Sequence, residues 1–360
     1  MTGATRRLPW LGLAILVGAV LLIPPLFLAR YGLYIMSMWA VMTIAAIGLN
    51  LTLGYAGQVS LAQGAFVGIG AYCAGILTTS FGWNGIATIP VAIVLCFAIG
   101  WLLGYPALRV QHHYLAFVTL AFSTLAFLVF RNEEWLTKGI YGIENIHRPT
   151  VFGMRTAKPL PFYFFCLGTL ATMSAMAWWV VRSPWGRAFV ALRENPVRAL
   201  SLGVDVRRYT LVAFAIGSAF GGVSGVLYAL LVQFVEPPAF GLALSLNILM
   251  MVIVGGSGTF FGPYLGTMIA VLLPEWLRLT TRLGQLVPED STWHARVVHW
   301  LDLPNQYYLI LYSIFVIVLI AYSPKGILGF VEAKIADRRT RQASTLRVAA
   351  APTLLGEDRP

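Results

Sequence analysis

From Tyr31 to Leu108 the chain carries no Asp, Glu, Lys, Arg or His, an unbroken run of 78 residues. A water-soluble fold has too little interior to hide so long a stretch from solvent. A helix crossing the ~30 Å hydrocarbon layer needs only ~20 apolar residues, so this run holds several crossings. The whole chain agrees: 58% of its 360 residues are hydrophobic and 11% are charged, about half the ~25% usual in soluble domains. Soluble enzyme classes are excluded, and the chain reads as a polytopic membrane protein.

Apolar runs at 8–29, 32–54, 58–80, 86–107, 113–131, 161–181, 209–233, 243–256, 260–281 and 306–322 predict an all-α fold of about ten transmembrane helices. The first run follows Arg6 and Arg7 and has the form of a signal peptide or a signal anchor. The anchor fits better, because the run lasts a full span, meets Pro24 and Pro25 only near its far end, and lacks a cleavage site. With the N-terminus inside, 16 Lys and Arg fall in inner segments and 9 in outer ones. The positive-inside rule then places both termini in the cytoplasm. Residues 1–329 form the transmembrane domain, and 330–360 a basic cytoplasmic tail, expected as a short interfacial helix followed by disorder. The net charge of +11 fits loops lying against membrane lipid, with no nucleic-acid partner.

The chemistry that is missing narrows the function. Cys73, Cys96 and Cys166 are odd in number, widely spaced and set in apolar runs, so they read as small core residues. The pair His112-His113 points in two directions on any helix and has no third ligand, which leaves no metal site. No G-x-x-x-x-G-K-[ST] loop occurs, no cofactor motif is present, and nothing resembles a nucleophile with its base. The acidic residues, among them Glu133, Glu194, Asp205, Glu236 and Glu275, sit near span ends or in loops. A proton relay through the bundle therefore has no carrier, and energy for any pumping comes from another polypeptide.

Two stretches are too rich in glycine for plain spans: 54–72 (GYAGQVSLAQGAFVGIGAY) and 255–267 (GGSGTFFGPYLGT). Such density permits either tight helix packing or broken helices lining a path, at corresponding positions in two halves of the chain. Asn50, Gln58, Ser60, Gln63, Gly255 and Gly256 are the candidate path residues, and hydrogen bonding between helices is the competing role for the polar ones. The longest inner loop, within 182–205, predicts a short helix from Pro184 that breaks at Asn195-Pro196, with a second turn reaching Gly203. Its small-residue face bearing Arg193 and Glu194 suits docking in a groove of a cytoplasmic partner.

These residues carry a resemblance. The stretches from Gly48 to Ser60 (GLNLTLGYAGQVS), Ser183 to Gly203, Ala213 to Gly225, Gly255 to Gly266 and Ser323 to Gly329 (SPKGILG), in this order and spacing, resemble the LivM-type permease subunits of branched-chain amino-acid ABC importers. The resemblance covers about Met36 to Gly329. It implies a bacterial inner-membrane importer subunit paired with a second, LivH-like permease, two cytoplasmic ATP-binding subunits and a periplasmic amino-acid-binding protein. The loop at 183–205 would be the coupling helix, with Gly186, Arg187, Ala191, Arg193 and Glu194 at the ATPase groove. Thr210, Asn247 and Thr137-Lys138-Gly139 depart from the residues common in that family, which bears on charge near the inner ends and on docking at the outer loop. The competing readings are a stand-alone channel or facilitator for a small neutral solute, which needs no ATP, and a membrane scaffold without transport, which has no use for glycine-rich breaks.

Overall fold

The computed structural model describes residues 30–107, 114–151, 154–155 and 158–284, with isolated positions at 314, 317 and 326. Among these the architecture is helical. Helix α1 (Arg30–Leu49) continues into a π-helical end at Asn50–Tyr55. It is followed by α2 (Gln63–Thr79), α3 (Thr88–Ala107), α4 (Tyr114–Asn132) and the short α5 (Glu134–Thr137). Then come α6 (Pro159–Arg182), α7 (Pro184–Glu194), α8 (Pro196–Ser201), α9 (Val206–Val232), α10 (Leu242–Gly255) and α11 (Gly262–Gly284). One departure from the all-α expectation is a hairpin of two-residue strands, β1 (Thr150–Val151) and β2 (Met154–Arg155), paired antiparallel in the loop between α5 and α6.

Among the described residues, six segments are long and apolar enough to cross a membrane: Arg30–Tyr55, Gly85–Tyr105, Leu115–Asn132, Pro159–Arg182, Val206–Val232 and Pro237–Gly255. The expected run at 58–80 yields only the 17-residue α2, because the chain stays non-helical from Gly57 to Ala62. At 1.5 Å per residue α2 is ~25 Å long. The run at 260–281 becomes α11, which contains Pro274. The runs at 8–29 and 306–322, the His112-His113 pair and the tail at 330–360 lie outside the described residues.

Helix α9 is the axis of the bundle. Asp205 caps its start by accepting from the Arg208 backbone N–H at 3.1 Å, which satisfies one of the donors a helix N-terminus leaves open. Lipid gives helices no hydrophobic reason to associate, so contact rests on close backbone approach and on polar links. Small residues along α9 supply both. A Cβ on Gly217 would lie 2.7 Å from the Gly48 carbonyl oxygen of α1, and one on Gly222 would lie 2.6 Å from Cys96 Sγ of α3. Ser224 Oγ donates to Val41 O at 2.8 Å. The result is 89% burial along the α9 span, against 22–28% for α3, α4 and α6. Those three helices turn Val94, Leu102, Phe117, Leu125 and Trp179 outward, as hydrocarbon contact requires.

At one end of the bundle the 133–158 loop folds over the C-terminus of α9. Ile143 and Val235 exchange two backbone hydrogen bonds at 2.9 and 3.0 Å, and Gln233 Nε2 donates to Ile146 O. Arg148 Nη2 donates to Leu231 O and its guanidinium lies 4.9 Å from the Phe162 ring, a cation at a helix C-terminus. Burial pulls its pKa down.

Candidate functional site

The opposite end gathers the two glycine-rich breaks and the loop helices α7 and α8. Helix α7 starts on Ser183, whose Oγ accepts from Trp185 N at 3.1 Å, with Pro184 in its first turn. It ends at Asn195, whose Oδ1 accepts from Val197 N and Arg198 N and so begins α8. Gly203 closes the loop at φ 82°.

One face of α7 is buried. Gly186, Phe189 and Leu192 point inward, and a Cβ on Gly186 would collide with the Val181 carbonyl of α6. The glycine is therefore what lets α7 fold back onto the end of α6. Trp185, Arg187, Val190 and Glu194 are exposed on the other face and Ala191 is half-buried. Val197, Leu200 and Leu202 extend this face with exposures of 77%, 63% and 81%. The sequence reading missed these three, although Val197 and Leu200 stand three apart directly after Pro196, a spacing that puts both on one side of a short helix.

Arg193 is exposed as a residue, but its guanidinium reaches back to the bundle. Its Nη1 donates to Gly54 O at 2.6 Å. Its Cα, Cβ and Cγ lie 3.2–3.3 Å from where a Cβ on Gly57 would stand. Gly57 has φ 71° and Gly258 φ 81°, backbone that glycine adopts without penalty. A side chain at Gly258 would strike the Arg193 guanidinium.

Asn50 joins the same knot. Its Oδ1 accepts from Gly258 N at 2.8 Å and its Nδ2 donates to Thr259 O at 2.9 Å, so one side chain clamps the 256–261 turn to the π-helical end of α1. Behind that turn, Phe260 packs edge-on against Trp178, and Arg182 stacks 3.9 Å above the Trp178 ring. Gly256 has φ 117°, and a Cβ on Gly326 would lie 2.5 Å from Gly256 N. A Cβ on Gly255 would lie 2.6 Å from the Gly262 carbonyl carbon, which brings α10 and α11 together.

The other predicted polar residues lie nearby. Gln58 Nε2 donates to Thr210 O at 3.1 Å, while its Oε1 is buried without a hydrogen-bond partner. Ser60 Oγ accepts from Ala62 N. Gln63 sits deeper, where its Nε2 reaches Ala45 O at 3.0 Å and Gly217 O at 3.2 Å and so links α2 to α1 and α9. Thus the structure brings Asn50, Gln58, Ser60, Gly255, Gly256 and Arg193 to one end. Gln63 lies in the bundle, and Arg187 and Glu194 lie on the outer surface. Asn247 is exposed on α10. Among the described residues no group of His, Cys, Asp and Glu is arranged to hold a metal ion.

Comparison with known proteins gives a family and relatives. The family described as branched-chain amino acid transport system / permease component matches residues 31–321. The high-affinity branched-chain amino acid transport system permease protein LivM of Escherichia coli is 33% identical over 277 residues, 71% of this chain and 65% of the relative. The protein of the same name from Salmonella typhimurium is 32% identical over 299 residues, 77% and 70% of the two chains. The probable branched-chain amino acid transport permease protein LivM of Methanocaldococcus jannaschii is 23% identical over 324 residues, 79% and 89%. No solved structure matches.

Proposed function

The chain belongs to the family of branched-chain amino acid transport permease components, and from that premise we propose that it is the membrane subunit of an ATP-driven importer. The solute is a branched-chain amino acid or a related small amino acid or amide, and the membrane is the bacterial cytoplasmic one. The chain does no chemistry itself. Its sequence holds no nucleotide loop, and its acidic residues fall near the ends of the apolar runs or between them, so the driving force enters through contact with two ATP-binding subunits. A second, LivH-like permease and a periplasmic amino-acid-binding protein complete the assembly.

The observation that carries this reading is the two-faced α7. Gly186 seats it against α6, while Arg187, Ala191 and Glu194, extended by Val197, Leu200 and Leu202, form a mixed apolar and charged surface. Such a surface gives affinity through its apolar residues and orientation through its charges. Residues 183–205 are then the cytoplasmic coupling loop, in a domain of ten spans (1–329) with both termini inside. The surplus of Lys and Arg in the inner loops supports this orientation. Asn50, Gln58, Ser60, Gly255 and Gly256 border the solute path at its inner end, with Gln63 deeper along it, and the unpaired Gln58 Oε1 is an acceptor suited to an ammonium or amide N–H.

The test is reconstitution. The tagged chain, purified with whatever remains bound in mild detergent, is placed in vesicles and given labelled leucine and ATP. Uptake that requires ATP and the binding protein supports the importer. Flux in both directions without ATP, from the chain alone, replaces it with the channel.

A further inference from the structure

We propose that Arg193 is a positioning residue that ties α7 to the C-terminal end of α1 and to the turn after α10 at once, so that movement of the loop is passed to both glycine breaks rather than absorbed at the surface. The inference rests on the importer reading and adds to it the route inside the subunit.

Helix C-termini leave carbonyls open and carry about half a negative charge each. At the end of α1, Ala56, Gly57 and Gln58 donate backwards to Leu51, Leu53 and Thr52. The next carbonyl, Gly54 O, takes its hydrogen bond from Arg193. Helix α10 ends at Gly255, three residues before Gly258, against which the same guanidinium packs. One cation thus faces the end of α1 and the turn that follows α10. Asn50 binds Gly258 N and Thr259 O, so the turn after α10 cannot leave the π-helical end of α1 without losing those bonds as well. The Arg193 stem lies so near Gly57 that a Cβ there would stand 3.2–3.3 Å from its Cα, Cβ and Cγ, which leaves no room for a side chain between α7 and the first break. Arg187 and Glu194 stand outward on the same helix. A push received there reaches the α1–α2 and α10–α11 connections through one side chain.

This assigns Arg193 a different task from a contact with the ATP-binding subunit, and the two are separable. The full assembly is prepared with Arg193→Ala and with Arg193→Lys, and solute imported per ATP hydrolysed is measured. Hydrogen exchange at the amides of 56–58 and 258–259 is followed in the same preparations. Arg193→Ala should keep the ATP-binding subunit, lower import per ATP roughly tenfold, within the range of ordinary coupling contacts, and speed exchange at both breaks together. Arg193→Lys retains one donor for Gly54 O but no planar head to pack on Gly258. It should restore slow exchange at 56–58 only, with an intermediate import ratio, and it keeps the proposal testable where the alanine variant fails to insert. Unchanged import ratio and exchange would overturn the proposal. So would loss of the ATP-binding subunit with exchange unaltered, which would place Arg193 on the partner. A wild-type assembly that moves solute without ATP refutes the importer reading instead, and the exchange measurement still reports whether Arg193 holds both breaks.

Discussion

Replacing Gly186 with alanine adds one methyl group where α7 folds back on the end of α6. The new Cβ would stand 2.7 Å from the Val181 Cα and closer to its carbonyl. Carbon atoms in contact settle at about 3.5–4.0 Å, so α7 must retreat by about 1 Å, because the obstacle is backbone and cannot rotate aside. A rigid retreat of that size stretches the 2.6 Å bond from Arg193 to Gly54 O to about 3.6 Å, past the limit of a useful hydrogen bond. Overpacking of this kind costs about 1–3 kcal/mol. The substitution lies at a span end with no apolar residue removed, so insertion into the membrane is expected to persist. The assay compares thermal stability in detergent with solute-stimulated ATP hydrolysis of the assembly. A lowered melting temperature together with loss of most of the stimulation is expected. An alanine variant with wild-type stability and stimulation would refute the argument that close seating of α7 on α6 carries the signal.

Other perturbations separate the parts. Asn50→Leu leaves Gly258 N and Thr259 O without partners and should cost about 1–3 kcal/mol for the unsatisfied groups, read as a lower melting temperature and faster exchange at 258–259. Lys138 has φ 60°, a left-handed conformation that L-residues adopt at a penalty, so Lys138→Gly should stabilise the chain by up to about 1 kcal/mol, read as a higher melting temperature. Arg187→Glu reverses an exposed charge; stability should stay within about 0.5 kcal/mol of wild type while the ATP-binding subunit is retained less well and in a salt-dependent way.

The helices were legible where the chain announces them: charge-free runs give the six spans found among the described residues, and Pro184 and Asn195-Pro196 give the ends of α7. The sequence puts the start of α2 five residues early because Gln58 to Ala62 holds no charge and no proline, yet Gly57 has already turned the backbone to φ 71°. Periodicity does not report that. The hairpin at 150–155 depends on backbone pairing between two-residue strands, too short to leave a pattern. The polar residues of the first break were legible as a set, but not their partners. Asn50 meets Gly258 and Arg193 meets Gly54 across 208 and 139 positions of sequence, and a spacing rule that works within one helix has nothing to say about such pairs. The charge of Arg193 suggested a surface role like that of Glu194. It is exposed as Glu194 is, and its bond back to Gly54 O follows from the end of α1 and the turn after α10 converging beneath it, which only the fold supplies.

The central claim is that the outer face of α7 and α8 receives an ATP-binding subunit. A photo-crosslinking amino acid placed at Leu200, 63% exposed, and at Trp179 on the apolar outer face of α6, 67% exposed, tests it in native membranes. The account predicts a crosslink from position 200 to a nucleotide-binding protein and none to such a protein from position 179. Position 200 yielding only lipid or no adduct, in membranes that take up leucine with ATP, would contradict it.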